Sequence, residues 1–268
     1  MLDLVALVAA ATAVQPAAAA PFSPPLDRTL QLRISQTRSE DGRRKRFVVR
    51  RTVRFAREGD GFVAELVTIG ADGANAGSAG SRFEAAMASL MGRTIRYHLD
   101  TRGRVRSIDE LGVLWKSLTA AVAEEARKAH PERKGYAERI ISSLGGLPVA
   151  QRQRMLATML TSVIEVDAAE RGVMPVKAVT LPAQPPFGQD QRLEGTERSW
   201  REGNRLVVSE RFAGDLKIPD GSGAVAHIET DIVRRVDPLT GMLVRSRKTK
   251  RTTIGDETRS SVTEITLE

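Results

Sequence analysis

The stretch RTIRYHLDTRGRVRSIDELGVLW, Arg93–Trp115, changes its hydrophobic repeat halfway along. Ile95, Tyr97 and Leu99 alternate with Thr94, Arg96 and His98, the two-residue period of a strand with one buried face. Asp100 to Gly103 has turn chemistry: a short acidic side chain that bonds nearby backbone N–H groups, then a glycine free to take positive φ. Val105 restarts the strand. Ile108, Leu111, Trp115, Leu118 and Val122 then follow at steps of three and four, the stripe of an amphipathic helix. Ser107 and Glu110 have the spacing of a capping box, which predicts a helix opening at Ser107. A sheet hands over to helices here.

Upstream, strand alternation begins at Leu30, Leu32 and Ile34. It resumes with Phe47, Val49, Val53 and Phe55 on one face and Val48, Arg50, Thr52 and Arg54 on the other. A third run, from Phe62 to Ile69, follows a turn signal at Asp60–Gly61. Residues 70–81, GADGANAGSAGS, read as a loop; the GK[ST] of a phosphate-binding loop is missing. Phe83, Met87, Leu90 and Met91 have helical spacing before Gly92.

Downstream, Pro131 separates the first long helix from a second carrying Tyr136, Ile140, Ile141 and Leu144, which ends at Gly145–Gly146. A third, from Pro148 to Arg171, carries twin stripes, Met155/Met159/Val163 and Leu156/Leu160/Ile164, with Gly172 as its C-terminal cap. LPAQPPFG, Leu181–Gly188, reads as a connector. Alternation then returns in five runs between Gln191 and Leu267, with turns at Asp237–Gly241 and Gly255–Asp256. The expected fold is α+β: a single domain over residues 21–268, with a curved, half-barrel-like antiparallel sheet built from both chain halves. Strands are expected at about 28–70, 93–106 and 190–267, flanking a central three-helix insertion at about 107–172.

Residues 1–20 contain no Lys or Arg, an apolar run from Leu4 to Val14 and small residues from Ala17 to Ala20. That pattern predicts a cleaved signal peptide and a periplasmic or secreted protein. The chain has no cysteine, which excludes disulfides, thiolate metal sites, cysteine nucleophiles and a lipidated cysteine. Its net charge of +8 favours anionic partners. Eight basic residues and no acid lie between Arg43 and Arg57. Of these, Arg43, Arg44, Arg46, Arg50, Arg51 and Arg54 are the candidate contacts with an anionic membrane surface or an envelope protein. Aromatic residues are only 4% of the chain, too few for the stacking platforms that argue for nucleic acid.

Little in the chain points to catalysis. His98, His130 and His227 fall in different expected elements, without an HExxH motif or any cysteine, so no metal or cofactor is expected. His98 has no partner evident in the sequence. No G-x-S-x-G elbow occurs. Asp109 and Glu110 are adjacent, so they point to different sides of a helix rather than converging. The apolar helix faces suit ligand binding better, with Met87, Met91, Trp115, Leu118, Met155 and Met159 as candidate walls for a lipid or other amphiphile.

The stretch MGRTIRYHLDTRGRVRSIDEL, through Gly92, Ile95, Leu99, Asp100, Gly103 and Val105, resembles a family of uncharacterised exported bacterial envelope proteins. The element order is more distantly similar to that of the LolA/LppX-type lipoprotein carriers. That resemblance implies a half-open barrel holding acyl chains against covering helices, and it brings no catalytic residues. The chain departs from lipidated relatives in lacking a lipobox cysteine. The expected function is non-catalytic binding of an apolar or amphiphilic envelope ligand. The alternative is a structural module that docks through a basic sheet face.

Overall fold

The computed structural model describes residues 22–40, 42–73, 77, 80, 83–84, 87–129, 135–183, 187, 190–218 and 223–268. The apolar leader and His130 lie outside them. Eleven strands form one open antiparallel sheet. The first five are β1 (Thr29–Glu40), β2 (Arg43–Glu58), β3 (Gly61–Asp72), β4 (Thr94–Leu99) and β5 (Val105–Ile108). Four helices follow: α1 (Leu111–Ala129), α2 (Tyr136–Gly145), α3 (Val149–Thr161) and α4 (Val166–Arg171). The chain then returns to the sheet with β6 (Met174–Pro182), β7 (Arg192–Glu202), β8 (Arg205–Lys217), β9 (Val225–Asp237), β10 (Met242–Ile254) and β11 (Glu257–Leu267).

The strand order is β5-β4-β3-β2-β1-β11-β10-β9-β8-β7-β6. Each half of the chain is thus a simple meander, and the first and last strands join the halves. Leu32 faces Leu267 and Ser39 faces Ser260 across this seam. Gln31 N–H donates to the Glu268 carbonyl at 2.7 Å, and Glu268 N–H returns a bond at 3.0 Å.

Residue parity decides which face is covered. Leu30, Val53, Leu66 and Ile95 share a row of cross-strand neighbours, and Phe55, Ala64 and Tyr97 share the next. These side chains are buried with Leu114 and Trp115 of α1 and Leu156 and Leu160 of α3 in one core. We call this the helix-bearing face; the opposite one, with Arg33, Arg46, Arg50 and Arg54, is bare. Phe22, 1% exposed, adds two edge-to-face ring contacts, to Phe55 and Phe62. A smaller cluster, Leu193, Phe212, Leu216, Ala226 and Ile228, occupies the same face at the far side of the sheet, beneath Ala183 and Phe187.

Two glycines have specific work. A Cβ on Gly61 would lie 2.1 Å from the Leu99 carbonyl oxygen, so β4 reaches β3 only because residue 61 has no side chain. Gly103 closes the β4–β5 turn at φ +74°, and a Cβ there would press on the Phe22 ring. The Asp100 carboxylate accepts the N–H groups of Arg102 and Arg104 at 2.8 Å each, as its turn position predicts.

Several expectations change. Ser107 does not cap a helix: it lies in β5 opposite His98, and the helix opens at Leu111 after Glu110 takes φ +50°. Strand pairing there outweighs the local capping signal. The helix expected over Pro148–Arg171 is broken, because Ser162–Glu165 turn to meet the β9–β10 hairpin. Leu243 N–H donates to the Val163 carbonyl at 2.9 Å, and Glu165 N–H to the Gly241 carbonyl at 2.8 Å. The insertion therefore holds four described helices rather than three. The connector expected from Leu181 is preceded by an eleventh strand, β6. Its Pro175 and Pro182 are compatible with pairing because β6 is an edge, where a missing N–H costs no ladder bond on the open side. The opposite edge, β5, has only four residues.

Leu160 is 0% exposed, whereas Met155, five residues earlier on α3, is 45% exposed. Leu160→Ala is expected to destabilise the fold by about 3 kcal/mol through the cavity it leaves. Met155→Ala should change stability by less than about 0.5 kcal/mol. Urea denaturation midpoints of the two variants check this; equal shifts would contradict the assigned face.

Candidate ligand-binding cleft

Along β1, the helix-bearing face reads Leu30, Leu32, Ile34, Gln36, Arg38, so it turns from apolar to polar as the strand leaves the helices. The neighbouring strands do the same: Leu267, Ile265, Thr263, Ser261 on β11, and Ser246, Lys248, Lys250 on β10. A cleft of about 490 Å³ opens at this change, walled by Ile34, Val49, Phe47, Phe83 and Thr263. Phe47 and Phe83 meet edge to face with ring centroids 5.3 Å apart. Phe83 comes from the β3–β4 connection, so that connection supplies one wall and the sheet supplies the floor.

A second cleft, about 350 Å³, adjoins the first through Gln36 and Arg38 and is lined further by Lys250, Thr252, Arg259 and Ser261. Arg38 links the two: its Nε donates to Gln36 Oε1 at 3.0 Å and its guanidinium lies 5.5 Å from the Phe47 ring centroid. Burial lowers the Lys250 ammonium from its ordinary value, and the charge of Lys248 adds to that effect. An apolar hollow results, with a rim in which Arg38, Lys250 and Arg259 outnumber the single carboxylate of Glu40.

The β2 row on this face runs Phe55, Val53, Arg51, Val49, Phe47, one arginine inside an apolar stripe. Arg51 is 6% exposed and Thr68, its partner across β3, is 1% exposed. Arg51 Nε and Thr68 Oγ1 are both buried without a hydrogen-bond partner among the described residues. Burial lowers the Arg51 guanidinium from its ordinary value, with Tyr97 opposing the shift. Burial likewise pushes the Tyr97 phenol up, with Arg51 opposing. Tyr97 is therefore neutral and supplies no counter-charge; its hydroxyl donates to the Leu156 carbonyl at 3.2 Å.

The residues expected to wall a ligand site are dispersed. Trp115 is buried in the core and its indole N–H donates to the Leu144 carbonyl at 3.0 Å, which fixes α1 against α2. Met87, Leu118 and Met159 pack against the same core, while Met91 and Met155 are exposed. None of the six lines the two clefts above. The basic residues of β2 divide by parity. Arg44, Arg46, Arg50 and Arg54 share the bare face; Arg43 sits opposite Glu40 at the hairpin end, and Arg51 lies under the helices. On the bare face, Arg33, Arg46, Arg50 and Arg245 surround a cleft of about 550 Å³ with Glu264 and Glu268. Arg245 is held by Glu264 at 3.4 Å, whereas Arg33, Arg46 and Arg50 have no acidic partner among the described residues.

Sequence reasoning left Phe83 and the cleft unseen, because the partner of Phe47 is 36 positions away by chain number and comes from a loop. The available signal was the loss of apolar character along β1 after Ile34. His98 also differs from expectation. Its Nδ1 bonds Glu58 at 2.5 Å and its Nε2 bonds Asp109 at 2.8 Å, so strand pairing brings it one partner from the end of β2 and one from just beyond β5. A carboxylate at each ring nitrogen favours the protonated imidazole, which donates to both. A separate set of charges, Arg171 and Lys177 on Glu197 and Arg234 on Glu210 and Glu165, ties α4 to β6–β9. Burial raises the Glu165 carboxyl from its ordinary value, partly opposed by Arg234.

No protein-family model, curated protein or solved structure matches the chain. Among the described residues, no group of three or more metal-ligating side chains is placed to hold an ion, and no helix is long and apolar enough to cross a membrane.

The bonds to Glu58 and Asp109 raise the His98 imidazole above its ordinary value, against a smaller opposing effect of burial. The folded value thus exceeds the unfolded one. The clamp's contribution is fully present below about pH 6.5 and is lost as pH rises through the folded value. Denaturation midpoints across pH should fall over that window in the native chain, and the fall should shrink in His98→Asn. An unchanged profile in the variant would remove His98 from the account.

Proposed function

We propose that this chain is an exported, non-catalytic binding protein for an apolar or amphiphilic ligand such as a lipid, held on the helix-bearing face of the sheet. The observation that carries the reading is the continuity of the Ile34–Val49–Phe47–Phe83 hollow with the Arg38–Lys250–Arg259 cleft. A volume of about 490 Å³ suits a small ligand or a single hydrocarbon chain, within the roughly 300–1,000 Å³ usual for such sites. An open sheet of this width curls rather than staying flat, which supports a half-barrel form with the hollow inside it. The leader's composition supports export. The cationic rim would raise the local concentration of anionic amphiphiles.

Binding is tested with N-phenylnaphthylamine, a neutral probe that fluoresces in apolar surroundings, on delipidated protein. The native chain should bind it, and Phe47→Ala should weaken binding roughly ten-fold through lost apolar contact. No probe binding, together with no co-purifying lipid by native mass spectrometry, would sink the reading.

The bare face favours a second reading, docking on an anionic lipid surface. Three exposed arginines without acidic partners among the described residues, Arg33, Arg46 and Arg50, stand together there. Arg51 is unsuited to this role because it is buried on the other side of β2. Combined Arg46→Glu, Arg50→Glu and Arg54→Glu substitutions should abolish retention on vesicles containing phosphatidylglycerol. Retention of the native chain should weaken as salt rises from about 0.05 to 0.5 M. Equal retention of native and substituted chains would exclude the face.

A further inference from the structure

The unexplained element is Arg51. A permanently charged guanidinium, 6% exposed, lies in a row of Phe and Val side chains with no carboxylate paired to it among the described residues. Leaving a buried charge uncompensated costs several kcal/mol, and natural folds avoid it unless something supplies the missing partner. The Thr68 hydroxyl, opposite Arg51 on β3, is orphaned as well. Two donors left open side by side describe the complement of an anion.

Their position gives the anion a route. Val49 and Ile34, paired across β1 and β2, line the inner part of the apolar cleft. Arg51 and Leu32 are the next pair along the same face, one strand repeat of about 7 Å further toward the helices. Beside Thr68, on the edge of β3 away from β2, Met91 forms a parallel bridge and Gly92 donates its N–H to the Thr68 carbonyl at 3.0 Å. A hydrocarbon chain lying along the Phe47–Val49 row runs toward Arg51, the next residue of that row, which lies just beyond the residues that line the cleft.

We propose that Arg51, with Thr68, receives the anionic head of a single-chain amphiphile, a carboxylate or phosphate monoester, whose hydrocarbon lies in the Phe47–Phe83 cleft. This rests on the ligand-binding reading above and deepens it by fixing the head group and the direction of entry. The rim cations are the competing site for the head. Arg38 and Arg259 are exposed, and Arg259 already pairs with Glu40 at 3.1 Å and Glu257 at 3.4 Å. Solvated charges of that kind contribute about 0–1 kcal/mol, while a charged hydrogen bond made away from water contributes about 1.5–3. The buried arginine wins the head, and the rim serves its approach.

The test measures displacement of N-phenylnaphthylamine from the delipidated full chain by dodecanoate, dodecyl phosphate, dodecanol and acetate. The native chain should bind dodecanoate or dodecyl phosphate at least about ten-fold more tightly than dodecanol, and acetate without measurable competition. In Arg51→Met the advantage over dodecanol should vanish while dodecanol itself binds within about three-fold of native. Apo Arg51→Met should be as stable as the native chain or more so, because a methionine suits the apolar row. Thr68→Val, close in shape, should reduce the preference for the acids without affecting dodecanol. Equal binding of acid and alcohol by the native chain overturns the proposal and leaves the ligand-binding reading standing. So does a preference that survives Arg51→Met but falls in Arg38→Met. Competition by acetate matching that by dodecanoate would reveal a free-anion site and also overturn it. A lower stability of apo Arg51→Met would overturn it too, by showing that the guanidinium is already satisfied within the fold. If nothing displaces or binds the probe, the ligand-binding reading itself fails.

Discussion

The pairing of β1 with β11 is the constraint on which the rest of the sheet depends, because among the described residues it is the one ladder joining the β1–β5 and β6–β11 meanders. Without it the chain would be two smaller sheets, each with a long unpaired edge. With it, the apolar rows of both halves become one continuous surface. The core runs unbroken from Tyr97 on β4 through Leu32 on β1 to Leu267 on β11 and Leu243 on β10. The helices cover the apolar part of that surface, and α4 extends over the charged set of Glu197, Glu210 and Arg234. Residues Ser162–Glu165 pin them to the β9–β10 hairpin, so α3 and α4 bridge the seam rather than belonging to either half.

The same register that places the core also places its exceptions. On β2 a period of two assigns Arg50 to solvent and Arg51 to the interior, although the two are adjacent and chemically identical. Charge counts along the chain treat them alike; their energetics differ greatly. An exposed arginine is screened by water and salt, whereas an interior one retains nearly all of its demand for a partner. The functional reading accordingly gives the bare face and the cleft separate roles.

How much of this was legible in the sequence depended on whether the signal was local. Alternation in Phe47, Val49, Val53 and Phe55 located β2 and its buried face, and Asp100 with Gly103 located a turn that the structure reproduces in its hydrogen bonds. Ser107 and Glu110 misled because a strand pairing at His98 overrode a good capping pattern. β6 was hidden by its prolines, which forbid an interior strand and are harmless at an edge. The partnership of β1 with β11, the bond of His98 to Glu58 and the Phe47–Phe83 contact all join positions distant in the chain. No window of sequence contains them. The anomaly of Arg51, by contrast, could be read from parity alone, as the one charge in an otherwise apolar row.

The two ends of the sheet have a consequence for the protein at high concentration. An open ladder of eleven strands is a template for more strands, and a second copy could extend it at an edge. Here one end stops at the four residues of β5, which run almost at once into α1, and the other at β6, where Pro175 and Pro182 offer no N–H. Growth by strand addition is blunted at both ends without closing the sheet into a barrel. The molecule can thereby keep a cleft open to solvent and still resist polymerising into fibres.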